Sequence, residues 1–504
     1  MKRHVTQTNG RGIGMKQTLI IVLMIMLVFI TSAHAQETAS PLVRQMYDGN
    51  WPSAEEASKL RDELYYQRAV HAYITMLPAL NTIGMRDGSE ALFGKGYNIL
   101  PIWKQRMDAR TWVPTPNADV VYSMSYLDLK ETGPLVVAAP QGVIGMFTDF
   151  FQLTITDVGA IGPDRGRGGL YLLLPPDYKG HIPDGYFSFK SSTYNVFLFF
   201  RTVMVPGKNG PDTGPAVETA ERTRIYPLWE LEKDIPAMKF PNAAGQRVNM
   251  MYPTDFTYWE KLKDFVDYEP IEAINPEIRG VLASIGIIKG SAFEPTKRQR
   301  ELLVKAVEMA PKMILASRMA ERPDGRHLYY KDRNYISGWN GATAEWMQKN
   351  YLDIDGRAIY FQQAYSSAPA MVMRTIGAGS KYPVAIFDAD GKHLNGSNHY
   401  KMHLPAGIPA KAFWAVTLYN ISDGTMPETD QLIPSRNGYE NVDKNSDGSI
   451  DLYFGPTKPG GVGEMNWIQT IEGRDFMAIM RLYGADIAFF DQTWKPDNIV
   501  KLQK

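Results

Sequence analysis

The most demanding feature of this chain is a charge set into an apolar row of a strand, and it occurs three times. With side chains alternating at period two, Phe147, Asp149, Phe151, Leu153 and Ile155 share one face against Met146, Thr148, Phe150 and Gln152. From Thr193 to Val203, Asn195, Phe197, Phe199 and Arg201 alternate against Tyr194, Val196, Leu198 and Phe200. The strand Phe476 to Tyr483 sets Arg481 beside Met477, Ile479 and Tyr483. An isolated charge inside a protein is expensive, so each of these groups requires a partner or a pocket. The expected solution for two of them is a pair, Asp149 with Arg201, on facing strands.

The stretch Pro114 to Pro140 leads into the first of these regions. Pro114 and Pro116 hold the backbone extended, and the β-branched and aromatic run that follows reads as two strands and a turn. Asn117 and Asp119, two apart, are expected on one strand face. The alternative gives them a structural task, tying down the proline-rich approach through backbone hydrogen bonds. Upstream, Ser53-Ala54-Glu55-Glu56 is a capping box that opens a helix from about Ala54 to Met76. From about Met250 the pattern turns helical. Helices are expected after Thr254, after the Asn275-Pro276 cap, over Lys297 to Met319 with a kink at Pro311, and over Thr343 to Tyr351. Strands return at Tyr382, with hairpin signals at Asp388 to Gly391 and Asn445 to Gly448.

Met15 to Ala35 carries Lys16, an apolar run from Leu19 to Ile30 and the ending Ala33-His34-Ala35. This is the pattern of a secretory signal peptide, and its apolar run is short for a bilayer span of about 20 residues. The expected product is periplasmic or secreted, with no stable membrane span once the leader is removed. Cleavage leaves 50 basic against 54 acidic side chains, a balance without the dense basic patch that nucleic acid requires. The chain has no cysteine, so disulfides and thiolate chemistry are excluded.

Several constellations point to chemistry and are weighed by spacing. Asp443 to Asp451 follows the first nine positions of an EF-hand loop, with Asp443, Asn445 and Asp447 as calcium ligands, but Phe454 stands where the bidentate glutamate belongs. A hairpin turn is preferred there, and no cofactor is expected. His399 and His403 would lie about 13 Å apart along a strand, too far for one metal. The loop Gly162 to Gly169, with Arg165 and Arg167, lacks phosphate-loop spacing and reads as a hairpin loop. There is no Gly-x-Ser-x-Gly elbow, and no complete catalytic set assembles.

The segment Pro116-Asn117-Ala118-Asp119-Val120-Val121-Tyr122-Ser123, with Leu127-Asp128-Leu129, Gly133-Pro134 and Arg201-Thr202, resembles the bacterial domain-of-unknown-function family 1254. The C-terminal Asp390-Gly391, Leu394-Asn395-Gly396, Asp447-Gly448-Ser449, Asn466-Trp467, Arg481-Leu482-Tyr483 and Trp494-Lys495-Pro496 resemble family 1214. Valine at 120 replaces the threonine usual in the first motif. The resemblance implies a mainly β fold with α, in which two β-sandwich-like domains, the second jelly-roll-like, are joined by a helical section in an exported protein able to oligomerise. The expected boundaries are a signal peptide over 1–35, a helix plus β-sandwich domain over 36–245, a helical middle over 246–379 and a C-terminal sandwich over 380–504.

Two functions fit these residues. The first is a binding or homo-oligomeric assembly protein whose sheet faces hold a small polar or carbohydrate-like ligand through Asn117, Tyr122, Asp149, Arg201, Arg481 and Tyr483. The second is a periplasmic hydrolase or lyase with Asp119 as catalytic general acid or base.

Overall fold

A computed structural model describes residues 51–208, 210–230, 236–319, 328–339 and 342–503. The expected leader, residues 1–35, lies outside them. Two compact units divide the chain between Leu64 and Tyr65. Helix α1 (Ala54–Phe93) opens on the capping box, with Ser53 N donating to Glu56 Oε2 and Glu56 N to Ser53 Oγ. It does not end near Met76 but continues through Pro78. The lost rung and ring clash at an internal proline cost about 3 kcal/mol. Tyr73, Met76, Leu77, Leu80 and Ile83 flank it and are buried, at roughly 1.5–3 kcal/mol each, which outweighs that cost.

From Tyr65 on, the fold is mixed α/β with sandwich-like sheets. The first sandwich uses β1 (Val121–Asp128), β2 (Leu135–Ala139), β3 (Val143–Asp149), β4 (Thr154–Val158), β5 (Gly169–Leu174), β6 (Phe187–Lys190), β7 (Asn195–Thr202) and β8 (Arg224–Pro227). Its sheets run in the orders β1-β7-β3-β4 and β8-β2-β5-β6. Helices α2 (Thr257–Tyr268), α3 (Pro276–Ser284) and α4 (Lys297–Met319) follow, then β9 (Leu328–Tyr330), β10 (Arg333–Ile336) and α5 (Ile354–Gln363). The second sandwich adds β11 (Ser380–Lys381), β12 (Val384–Ala385), β13 (Tyr400–Leu404), β14 (Ala410–Asn420), β15 (Ser435–Asn437), β16 (Ile450–Gly455), β17 (Trp467–Gln469), β18 (Phe476–Ala485) and β19 (Val500–Lys501). One of its sheets runs β9-β10-β12-β18-β14-β15, with β11 also on β18, and the other β17-β16-β13-β19.

Period-two patterning decides where each face goes. On β7, Val196, Leu198 and Phe200 pack against the facing sheet of their own sandwich with Val137 and Leu173. The opposite row, Phe197 and Phe199, joins Tyr122, Met124 and Tyr126 of β1 and the buried faces of the helices in a separate core. The second sandwich repeats the arrangement. Trp414, Val416, Leu418, Met480 and Leu482 fill its interior, while Phe413, Ala415 and Tyr483 turn to the same helical core. Each sandwich thus has one face in its own interior and one in shared ground.

Three local expectations are corrected, while a fourth holds. Pro114 to Pro140 forms the expected two strands and a turn; β1 and β2 lie in different sheets, and the turn is one helical turn, Leu129–Thr132, that hands the chain across. Asp128 caps that turn by accepting from Lys130 N and Glu131 N, which a strand-end acid does readily. The Phe147 to Ile155 row is broken after Asp149, because Gln152 adopts φ 60° and folds β3 onto β4. The Gly162 to Gly169 loop also crosses between sheets, its Asp164 accepting from Gly159 N, Gly168 N and Tyr171 Oη. No helix forms over Thr343 to Tyr351. The Thr343 hydroxyl takes Glu345 N and Met347 N into a turn, and the helix starts later, at the Asp353 cap.

Gly88 and Gly84, one turn apart on α1, let that helix lie on the backbone of residues 249–252. A Cβ would meet Asn249 O at 1.9 Å from the first and Met251 O at 2.5 Å from the second. Gly88→Ala is expected to lower stability by about 1–3 kcal/mol, read from the urea midpoint. Gly280→Ala, in open space inside α3, is expected to raise it by about 0.5–1 kcal/mol.

Candidate ligand site

The helix-facing rows of the two sandwiches meet around a cavity with about 1090 Å³ of empty space, part of it continuous with solvent. Arg201 and Tyr122 enter it from register-paired positions on β7 and β1. Arg481 enters from β18, Tyr382 from just before β12, Trp339 and Ile336 from β10 and its exit, and Arg318 from the last turn of α4. Tyr360, Gln363 and Tyr365 come from α5 and the loop that follows it. The walls are held in place. Trp339 Nε1 donates to Ser367 Oγ at 2.8 Å, and Tyr360 Oη to Ser366 O at 2.7 Å.

The arginines define the site's electrostatics. Arg481 donates to Thr417 Oγ1 at 3.0 Å and to Tyr419 Oη at 2.7 Å, and Tyr419 donates on to Pro116 O at 2.6 Å. Arg201 bonds the Tyr382 side chain and lies 5.3 Å from the centre of the Phe199 ring, while its Nε has no partner. Arg318 Nε has none either, and burial pulls its pKa down to about 10, still far above neutrality. Among the described residues none of the three forms an ion pair with a carboxylate. Burial raises the pKa of Tyr122, Tyr360 and Tyr365, so these phenols supply no negative charge at neutral pH. Gln363 Oε1 and Tyr365 Oη are also buried without partners.

The sequence-derived site residues divide into two sets. Asn117, Tyr122, Arg201 and Arg481 converge on the cavity, and Tyr483 stands behind it, accepting from Asn117 Nδ2 at 2.6 Å. Asp119 does not reach it. Asn117 and Asp119 precede β1 rather than lying on it, in a turn closed by Asp119 N donating to Asn117 Oδ1 at 2.9 Å. Fully buried, Asp119 accepts from Arg106 at 3.0 Å, Asn437 at 2.8 Å and Ser435 at 2.9 Å. Every oxygen of that carboxylate is occupied by the scaffold, which leaves an acid–base role without support from its position.

Asp149 is likewise elsewhere, and its expected pair with Arg201 is not formed. Its register partner is Val196, whereas Arg201 faces Ile144. Asp149 instead closes the β3–β4 turn, accepting from Leu153 N and Ser192 Oγ, and burial raises its pKa to about 6. Asn445 and Asp447 shape the turn before β16, with Asp447 Oδ1 accepting from Ser449 N and Oγ. Only one side of this turn is a strand, so it is not the expected hairpin. His403 bonds Asp451 and His399 bonds Thr457, and no cluster of three or more metal-ligating side chains occurs among the described residues. Among the cavity residues that sequence reasoning missed are Arg318, Trp339, Tyr360, Gln363, Tyr365 and Tyr382. Arg318 reads as an ordinary basic residue of a helix's last turn, and the others carry no local signal.

Residues 97–227 match the family described as "Protein of unknown function (DUF1254)", and residues 379–487 the family described as "Protein of unknown function (DUF1214)". Their order is the one expected from the motifs. Among solved structures, the VPA0106 protein from Vibrio parahaemolyticus is 20% identical over 87% of this chain and all of its own, with a TM-score of 0.53, a likeness of fold. A putative uncharacterized protein from Burkholderia cenocepacia is 14% identical over 91% of this chain and 92% of its own, with a TM-score of 0.38. No curated protein matches the chain. No helix among the described residues is long and apolar enough to cross a membrane.

Two measurements check the roles given to the acids. Asp119→Ala takes the acceptor from Ser435 Oγ and Asn437 Nδ2 and leaves Arg106 with Glu440 but without its second carboxylate, and is expected to cost about 2–4 kcal/mol in urea denaturation. A carboxyl whose folded pKa exceeds its unfolded value holds its proton better when folded. Its contribution to stability is therefore full below about pH 4 and declines as pH rises through about 6. Asp149→Asn is accordingly expected to be more stable than wild type at pH 7.5, by up to about 3 kcal/mol, with the gain vanishing by about pH 4.

Proposed function

We propose that this chain, which joins the DUF1254 and DUF1214 regions in that order, binds a small polar or carbohydrate-like molecule in the cavity between its sandwiches. One observation carries the reading. Arg201 Nε, Arg318 Nε, Gln363 Oε1 and Tyr365 Oη are buried, lack partners and belong to residues lining one cavity. Native structures leave few buried polar atoms unpaired, because each costs about 1–3 kcal/mol. A group of them around a single space is what a ligand would satisfy. Trp339 and Tyr360, whose rings lie 5.2 Å apart, add flat apolar surface for the ligand's body. Export to the periplasm or beyond is part of the proposal, since it sets the pool of molecules on offer.

The test is capture. Wild-type protein incubated with a periplasmic extract, washed and denatured is expected to release a small molecule detectable by mass spectrometry. A Cβ at Gly338 would sit 3.7 Å from the Tyr360 ring, an ordinary contact, so a side chain can be started at this lining position and Gly338→Leu adds bulk to the cavity wall. That variant is expected to fold like wild type and to release at least about tenfold less of the same molecule, a loss of about 1.4 kcal/mol or more. Equal release from both would refute the assignment.

A further inference from the structure

We infer that the ligand is a compact organic polyanion, bearing two or more carboxylate or phosphate groups held by Arg201, Arg318 and Arg481. The inference rests on the binding reading above and narrows it to a chemical class. Three guanidiniums converge from three separate elements, β7, α4 and β18, and arginine stays protonated at any physiological pH. Like charges around one cavity repel, and a neutral sugar cannot offset them. Among the described residues, two of the nearby acids are engaged by other partners. Asp119 is bound to Arg106, Ser435 and Asn437, and Asp149 to its own turn. Among the described residues Asp119 acts on Arg481 through its charge, and Asp157, with Oδ1 buried and unpartnered, acts on Arg201. Asp157 accepts from Ala370 N through one oxygen, and burial raises its pKa to about 6, so much of its charge is lost in mildly acid conditions.

The donors suit such a ligand. A guanidinium offers a rigid fork of N–H groups that matches the paired oxygens of a carboxylate or phosphate. Arg201 directs one interaction to Tyr382 and keeps Nε free, and Arg318 Nε is free as well. Both are therefore under-used in the empty protein. The consequence is specific: an arginine kept for an absent anion strains the empty protein, so replacing Arg201 should steady the empty form while weakening the filled one.

Thermal unfolding of the full chain tests this with pyrophosphate and with phthalate, each against chloride at matched ionic strength. At least one anion is expected to raise the wild-type Tm. Arg201→Met and Arg318→Met should each lose most of that shift, and Arg201→Met without anion should melt above wild type. Calorimetric titration should show affinity falling about tenfold or more for each replacement, as expected for a charge-assisted hydrogen bond, and falling with added salt. Absence of any anion-specific shift in wild type overturns the inference. So does a shift that both replacements leave intact, or an Arg201→Met protein that melts lower than wild type with its anion response unchanged. A neutral molecule captured in the cavity without an anion response would overturn the inference and leave the binding reading standing. An anion response lost in both arginine variants but unchanged in Gly338→Leu would place the anion outside the cavity and overturn both.

Discussion

The buried carboxylate of Asp119 is the fastening on which the arrangement of the site depends. It joins Arg106, on the approach to the first sandwich, to Ser435 and Asn437 on β15 of the second, and Arg106 continues to Glu440 at 2.6 Å. A charge withdrawn from water persists only when its partners are many and well placed, and Asp119 has three, from segments far apart in sequence. Around it Asn117 reaches Tyr483 and Tyr419 reaches Pro116 O. These bonds bring the rows bearing Arg201 and Arg481 to opposite sides of one space.

Charge is sorted across this junction. On the Asp119 side, acids and bases are matched: Arg106 with Asp119 and Glu440. On the cavity side, three bases are present and the phenols around them are neutral. The matched side holds the fold together, and the unmatched side is the one on which the proposed anion would act. Only a few residues separate the two, since Asn117 touches both.

How much of this was legible follows from the range of each signal. Strand rows were readable because period two is local, and the observation that Arg201 and Arg481 need partners or a pocket located two of the three lining arginines. The Asn117–Asp119 turn was also legible as an alternative, since an Asx bond spans two residues. Asp149 misled because a tight turn at Gln152, with positive φ at a non-glycine residue, leaves no mark in an apolar alternation. Arg318, Tyr365 and Tyr382 were hidden because their significance is tertiary. Nothing within a few residues of them distinguishes a cavity wall from a helix end or a loop. The Asp353 cap was missed beside the Thr343 to Tyr351 stretch, where hydroxyl-to-backbone bonds outcompeted the helix.

The doubly buried sheets have a consequence for inheritance. Tyr122, Met124, Tyr126, Phe197 and Phe199 on one sandwich, and Phe413 and Tyr483 on the other, close over the same helical core. Either half produced alone would present a sticky aromatic wall to water, an invitation to aggregation rather than a working module. A gene encoding only one half would therefore gain little unless another chain supplied the missing cover. Because the two regions share this core, dividing them into two polypeptides would yield subunits that depend on each other to fold.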